Sequence, residues 1–318
     1  MCGLYGIMGH VPNHKEVVTS LALKNQDRGS HSTGYADIFI KPNNFVIRKD
    51  ARSAFQFKGQ LKLTNGDIVI GHTRFATTGK ICARNAHPWN IGNLIGAHNG
   101  VVMNEYSVAD YMKEVHSDTA SYEVDSQYLI HMLDRYGHMG NARGMLNVIY
   151  WDMRDKTLNF IIYNNPMHLA IDVNHHWLLW SSQKDHLEAV VKEHDLMGKV
   201  KISSLKEEML TFELNNNLLY VATSEVPFDK EHRNHSAYGG ADDDYGYYYQ
   251  RGTTTYQKET TSRPANHYSS AGTRYVKVDG QWVPESETEW FNGHRVLRAK
   301  SDTDAVLCNP EAFGWPCD

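Results

Sequence analysis

The chain has 318 residues, with 32 basic and 37 acidic side chains and a formal charge of −5. That length suits one large domain with an appendage, or two domains, and the near-balanced charge leaves no electrostatic footprint for nucleic acid or an anionic membrane surface. Four scattered cysteines, Cys2, Cys82, Cys308 and Cys317, exclude a disulfide scaffold and lack the CxxC pairing of a zinc site.

From the N-terminus onward, MCGLYGIMGH lacks the basic and apolar regions of a secretory signal, and no run of about 18 apolar residues occurs further along. The protein is expected to be soluble and cytoplasmic. Apolar periodicity predicts helices over His14–Asn25 and Asp125–Tyr136. A third is predicted over residues 182–191, opened by Ser182-Gln183-Lys184-Asp185, which is close to a capping box. Short apolar runs at residues 67–72, 93–98, 145–151, 158–163 and 176–182 predict strands. Asn99-Gly100, between two apolar runs, predicts a tight hairpin turn.

Residues 229–272 contain no Val, Ile, Leu, Met, Phe or Trp and are crowded with Tyr, Gly, Ser, Thr and Asp. Such a stretch cannot bury enough apolar surface to offset its ordering entropy, so a mobile linker is expected. Beyond it, residues 274–290 alternate around Asp279-Gly280, the pattern of a small β-hairpin.

Cys2 followed by Gly3 is permissive for removal of Met1, which leaves a thiol and a free α-amino group on one residue. The amine has a reference pKa of about 7.7–8.0 and can take the thiol proton near neutral pH, directly or through water. A second-position cysteine is more often incidental, so the weight rests on the blocks downstream of it. GHTRFATTG spans residues 71–79, NAHP residues 85–88, HNG residues 98–100, and Asp125-Ser126-Gln127 opens a helix. Each has a plain structural reading as well: Arg74 as a surface or ion-paired arginine, Asp125 as a helix cap, residues 85–88 as a turn. His10 and His14 are four apart but have no acidic or cysteine partners, which favours a structural role and no metal. Walker and dinucleotide fingerprints are absent, and no cofactor is expected.

Taken together and in this order, the blocks resemble the class II, N-terminal-nucleophile glutamine amidotransferases over about residues 2–228. The resemblance implies that Cys2 attacks the side-chain amide of L-glutamine and forms a γ-glutamyl thioester, which water hydrolyses. It implies an oxyanion hole from the Asn99 side-chain amide and the Gly100 N–H, held by the expected turn. Arg74 matches the position that binds the substrate α-carboxylate and Asp125 the one that binds the α-ammonium. Phe75, Thr77, Thr78 and His87 match residues lining the glutamine pocket, and Arg28 and Gly29 match a block that supports the nucleophile loop. Two positions depart from the pattern: His31 stands where the family usually has Asp, and Gln127 where it usually has Glu.

The implied fold is α+β, a four-layer αββα sandwich of the N-terminal-nucleophile hydrolase type at residues 1–228. A linker at 229–272 and a small C-terminal β tail at 273–318 complete the expected organisation. No synthetase domain is recognisable after residue 228, so a separate ammonia-accepting synthetase or amidoligase is the expected partner. The alternatives are a free-standing γ-glutamyl amide hydrolase and a catalytically silent binding protein on the same scaffold. Tail aromatics such as Trp282, Trp290 and Trp315 suggest docking.

Overall fold

A computed structural model describes residues 2–229 and the backbone of four short strands near the C-terminus. In chain order the strands of the body are β1 (Gly3–Gly9), β2 (Ser32–Phe39), β3 (Asn44–Asp50), β4 (Ile68–Arg74), β5 (Trp89–Ile91), β6 (Leu94–Val102) and β7 (Gly144–Asp152). They continue with β8 (Thr157–Ile162), β9 (Met167–Asp172), β10 (Trp177–Ser181), β11 (Val200–Leu205), β12 (Glu208–Asn215) and β13 (Leu218–Ser224). The helices are α1 (His14–Asn25), α2 (Ala54–Phe57), α3 (Glu105–His116), α4 (Asp125–Tyr136) and α5 (Lys184–Glu193).

Two antiparallel sheets organise these elements, one ordered β11-β9-β10-β1-β4-β2-β3 and the other β13-β12-β8-β7-β6-β5. Successive strand side chains point to opposite faces, and β1 shows the result. Leu4 and Met8 enter an apolar cluster with Ile95, Ile149, Trp151 and Phe160 of the second sheet, whereas Tyr5 and Ile7 face Val17, Val18 and Leu21 of α1 and Leu187 and Val190 of α5. On the far side of the second sheet, Leu94, Val148 and Ile161 pack against Val108 and Met112 of α3 and Leu129 and Met132 of α4. A strand covered on both faces needs no polar alternation, which is why residues 67–72 and 145–151 read as continuous apolar runs. Trp151 and Trp180 are fully buried between the sheets, where truncation to alanine costs about 3–5 kcal/mol.

The α4 helix stops at Gly137, whose φ of 73° lets its N–H close back on the Leu133 carbonyl at 3.1 Å. Two local expectations fail. Asn99-Gly100 is not a turn: β6 runs straight through it, with Asn99 opposite Asn147 and Gly100 opposite Leu146 on β7. Glycine is needed there for another reason, since its φ is 155° and a Cβ would lie 1.8 Å from the Met145 carbonyl oxygen. Nor is α5 capped by Ser182; its N-cap is Gln183, with no side-chain cap bond, because the Ser182 hydroxyl is engaged elsewhere.

In the tail, Tyr275–Val278 pairs antiparallel with Gln281–Pro284, and Thr288–Phe291 with His294–Leu297. The expected linker, apart from Asp229, and the Asp279-Gly280 turn lie outside the described residues. Among the described residues, no helix is long and apolar enough to cross a membrane.

Candidate active site

Adjacent antiparallel strands carry the start of the chain to the end of β4. Gly3 of β1 is opposite Thr73 of β4, so Cys2, one residue before β1, meets Phe75, one residue after β4. The Phe75 N–H donates to Cys2 Sγ at 3.3 Å, and the thiol faces the Phe75 carbonyl oxygen at 3.5 Å. Cys2 is 9% exposed. Burial raises its thiol pKa, opposed by the Phe75 backbone bond and the Arg74 charge. Both Cys2 and Cys82 are free thiols.

The turn after α1 braces this junction. Arg28 Nε donates to the Cys2 carbonyl at 2.7 Å. A Cβ on Gly29 would stand 2.4 Å from the Arg74 carbonyl carbon and 2.6 Å from the Phe75 nitrogen, so only glycine permits this approach. His31 completes the brace: its N–H donates to the Arg74 carbonyl, its Nδ1 accepts the Ala76 N–H at 3.0 Å, and its ring stacks on Phe75 at 4.7 Å. Sequence reasoning marked His31 only as a departure from a pattern, and nothing local signalled that it reaches residues 74–76.

Arg74 and Asp125 are both buried, 2% and 4% exposed, yet they make no ion pair with each other. Thr78 stands between them. Its carbonyl accepts from Arg74 Nη2 and its hydroxyl donates to Asp125 Oδ1 at 3.3 Å. Arg74 Nη1 donates to the Lys80 carbonyl at 3.2 Å, which leaves further guanidinium N–H groups available. Asp125 Oδ1 also accepts the Ser126 N–H, and Oδ2 accepts the Val102 N–H at 3.0 Å. Burial lowers the Arg74 pKa, while Cys2 and Asp125 favour its charged form. Glu123 straps the same loop by accepting the Lys80 N–H at 2.9 Å and pairing with Arg84 at 2.7 Å.

Asn99 lies on β6 of the second sheet, fully buried. Its Nδ2 donates to Ser182 Oγ at 2.9 Å, while Oδ1 is buried without a hydrogen-bond partner. Ser182 Oγ also accepts the Leu4 N–H at 2.9 Å, two residues from Cys2. Phe75 is 46% exposed, and Thr77 is exposed as well.

His87 is set back from this group. Its Nδ1 meets His72 Nδ1 at 3.1 Å, and its ring lies between His72 and Trp89 with centroids 3.9 Å from each. His72 Nε2 donates to the His98 carbonyl at 3.1 Å, and His98 bonds the Ser126 hydroxyl and the Met145 carbonyl. Burial lowers the pKa of all three rings, His72 to about 3, so they are neutral at physiological pH. A cavity of about 600 Å³ lies elsewhere, on the second sheet, lined by Asp152, Arg154, Asn159, Thr211 and Phe228 among others.

Fold and site together define a two-sheet protein with a near-terminal thiol set beside two uncancelled charges. No family model matches the chain. It is 30% identical over 142 residues to glutamine--fructose-6-phosphate aminotransferase (isomerizing) of Rhizobium leguminosarum bv. viciae, covering 44% of this chain and 23% of that protein. It is 32% identical over 154 residues to the enzyme of that name in Staphylococcus epidermidis, covering 45% and 24%. Glutamine phosphoribosylpyrophosphate amidotransferase from B. subtilis, solved with ADP and GMP, superposes with a TM-score of 0.54 at 19% identity, over 69% of this chain and 48% of that one. A structure described as the allosteric regulatory enzyme of purine biosynthesis gives 0.54 at 20% identity, with the same coverage. The chain is thus similar in sequence, over part of its length, to glutamine--fructose-6-phosphate aminotransferases and in fold to a glutamine phosphoribosylpyrophosphate amidotransferase. It spans about a quarter of the length of these curated relatives.

Proposed function

We propose that the chain is a glutaminase of the class II amidotransferase type, releasing ammonia from L-glutamine through a Cys2 thioester. The observation that carries this reading is the buried Arg74–Thr78–Asp125 arrangement beside the Cys2 thiol. Two buried opposite charges that do not neutralise each other are complementary to an α-amino acid zwitterion, whose carboxylate meets the Arg74 fork and whose ammonium meets Asp125. Phe75, Thr77 and Thr78 border that position. His87 supports it from behind through His72.

Once Met1 is removed, the Cys2 amine accepts the thiol proton as Sγ attacks the amide carbon of the glutamine side chain. The tetrahedral oxyanion is stabilised by the Asn99 side-chain amide and the Gly100 N–H. The same amine then passes its proton to the departing nitrogen, ammonia leaves, and water hydrolyses the thioester to glutamate. The Phe75 N–H, already on Sγ, favours the thiolate. The two sheets and their helices are, on this proposal, the four-layer αββα sandwich of N-terminal-nucleophile hydrolases, and the ammonia passes to a separate synthetase or amidoligase. Glutamate release from glutamine, assayed for the wild type and for Cys2→Ala, tests the reading. Release by the wild type and none by the variant is expected; equal rates contradict it.

A further inference from the structure

We infer that Ser182 is a positioning residue for the oxyanion-stabilising amide of Asn99, an inference that rests on the glutaminase reading. Ser182 comes directly after β10 in the first sheet, whereas Asn99 belongs to the second. Its hydroxyl joins the two. Oγ accepts Asn99 Nδ2 at 2.9 Å and the Leu4 N–H at 2.9 Å, and donates to the Leu4 carbonyl at 3.2 Å. The Ser182 N–H donates to the same carbonyl at 2.9 Å. Ser182 is 3% exposed and Asn99 is fully buried, so water does not readily replace a lost bond between them.

The Asn99 side chain has no other hydrogen bond among the described residues: Nδ2 is held by Ser182 alone, and Oδ1 has no partner. One hydroxyl therefore sets the plane of this amide relative to β1, the strand that begins just after Cys2. The direction of the amide decides whether its second N–H or its carbonyl oxygen faces the developing negative charge, and only the N–H stabilises it. Had Ser182 capped α5, as its place before that helix suggests, this hydroxyl would not reach Asn99; Gln183 occupies the N-cap position without a side-chain bond.

The test is a double-mutant cycle on the full chain, with kcat and KM for glutamine measured beside Tm. Ser182→Ala is expected to lower kcat about tenfold while KM stays within about twofold, since the bond acts on the transition state rather than on the substrate α-groups. In an Asn99→Ala background the same change is expected to have no further effect on kcat, because the group it orients is gone. A purely structural role does not produce that silence. Should Ser182→Ala fail to fold, Ser182→Cys, which keeps the shape and weakens the bond, carries the same cycle. Unchanged kcat in the single variant, or an equal fall in the Asn99→Ala background, overturns the inference while leaving the glutaminase reading intact. Absence of glutamate release by the wild type, with Met1 removed, overturns that reading instead.

Discussion

Arg74 and Asp125 are buried charges kept apart by Thr78, and each has hydrogen-bonding capacity left over. Binding and chemistry therefore separate at the level of single residues. Arg74→Ala is expected to raise KM for glutamine far more than it lowers kcat, and calorimetry should show weakened glutamine binding. Asn99→Ala is expected to lower kcat by about 10²–10³-fold with a smaller change in KM. Equal calorimetric affinity in the wild type and Arg74→Ala would remove Arg74 from the substrate pocket. His31 gives a third handle, because it is the acceptor for the Ala76 N–H and the stacking partner of Phe75. Cys2, Arg74 and Asp125 stand out in the sequence through the resemblance of their ordered blocks to a known family, and the structure brings the three near one another. Ser182 and His31 do not stand out, because their partners lie 83 and 45 residues away.

At the scale of elements, the crossing of β1, β4 and the turn after α1 creates the site, and close backbone approach is its main requirement. Gly29→Ala should therefore be harmful although Gly29 φ is an ordinary −166°: its Cβ would overlap the backbone of Arg74 and Phe75. Loss of activity with a lowered Tm is expected, by circular dichroism and the glutamate assay; a variant as active as the wild type would show that the junction can open without harm. Helix α4 is readable to the residue because its apolar period ends on Gly137, whose φ is 73°. Helix α1 has the expected bounds, with Val17, Val18 and Leu21 buried, although its N-cap Asn13 makes no side-chain cap bond. The Asn99-Gly100 turn was misread because glycine also answers a steric demand within a strand, here from the Met145 carbonyl, and the two demands leave one sequence signature. Strand β11 carries no clear sequence signal because five of its six residues are at least partly exposed and polar residues interrupt its apolar ones.

For the whole molecule, three neutral buried histidines tie acid stability to the packing of the two sheets. The folded pKa values of His72, His87 and His98 lie below the usual value of about 6.5, so the unfolded chain binds protons first as pH falls. Their contribution is fully present above about pH 6.5 and is lost below it, by up to about 1.4 kcal/mol per pH unit for each ring. Tm is expected to be flat from pH 7 to 8 and to fall between pH 6.5 and 5, less steeply in His72→Gln. The C-terminal boundary of the body is also testable. Phe228 is buried against Tyr163, and Asp229 bonds Tyr111 and Gly140, so truncation after Asp229 is expected to spare glutamate release, whereas truncation after Thr223 is expected to lower Tm.

The most direct test of the proposed mechanism is the link between the mature N-terminus and turnover. The Cys2 amine is the proposed base, and a peptide bond to Met1 removes it. Intact-mass analysis of a purified preparation, read beside its rate of glutamate release from glutamine, is expected to show activity in proportion to the fraction of chains beginning at Cys2. A preparation that retains Met1 quantitatively and still hydrolyses glutamine would contradict the mechanism.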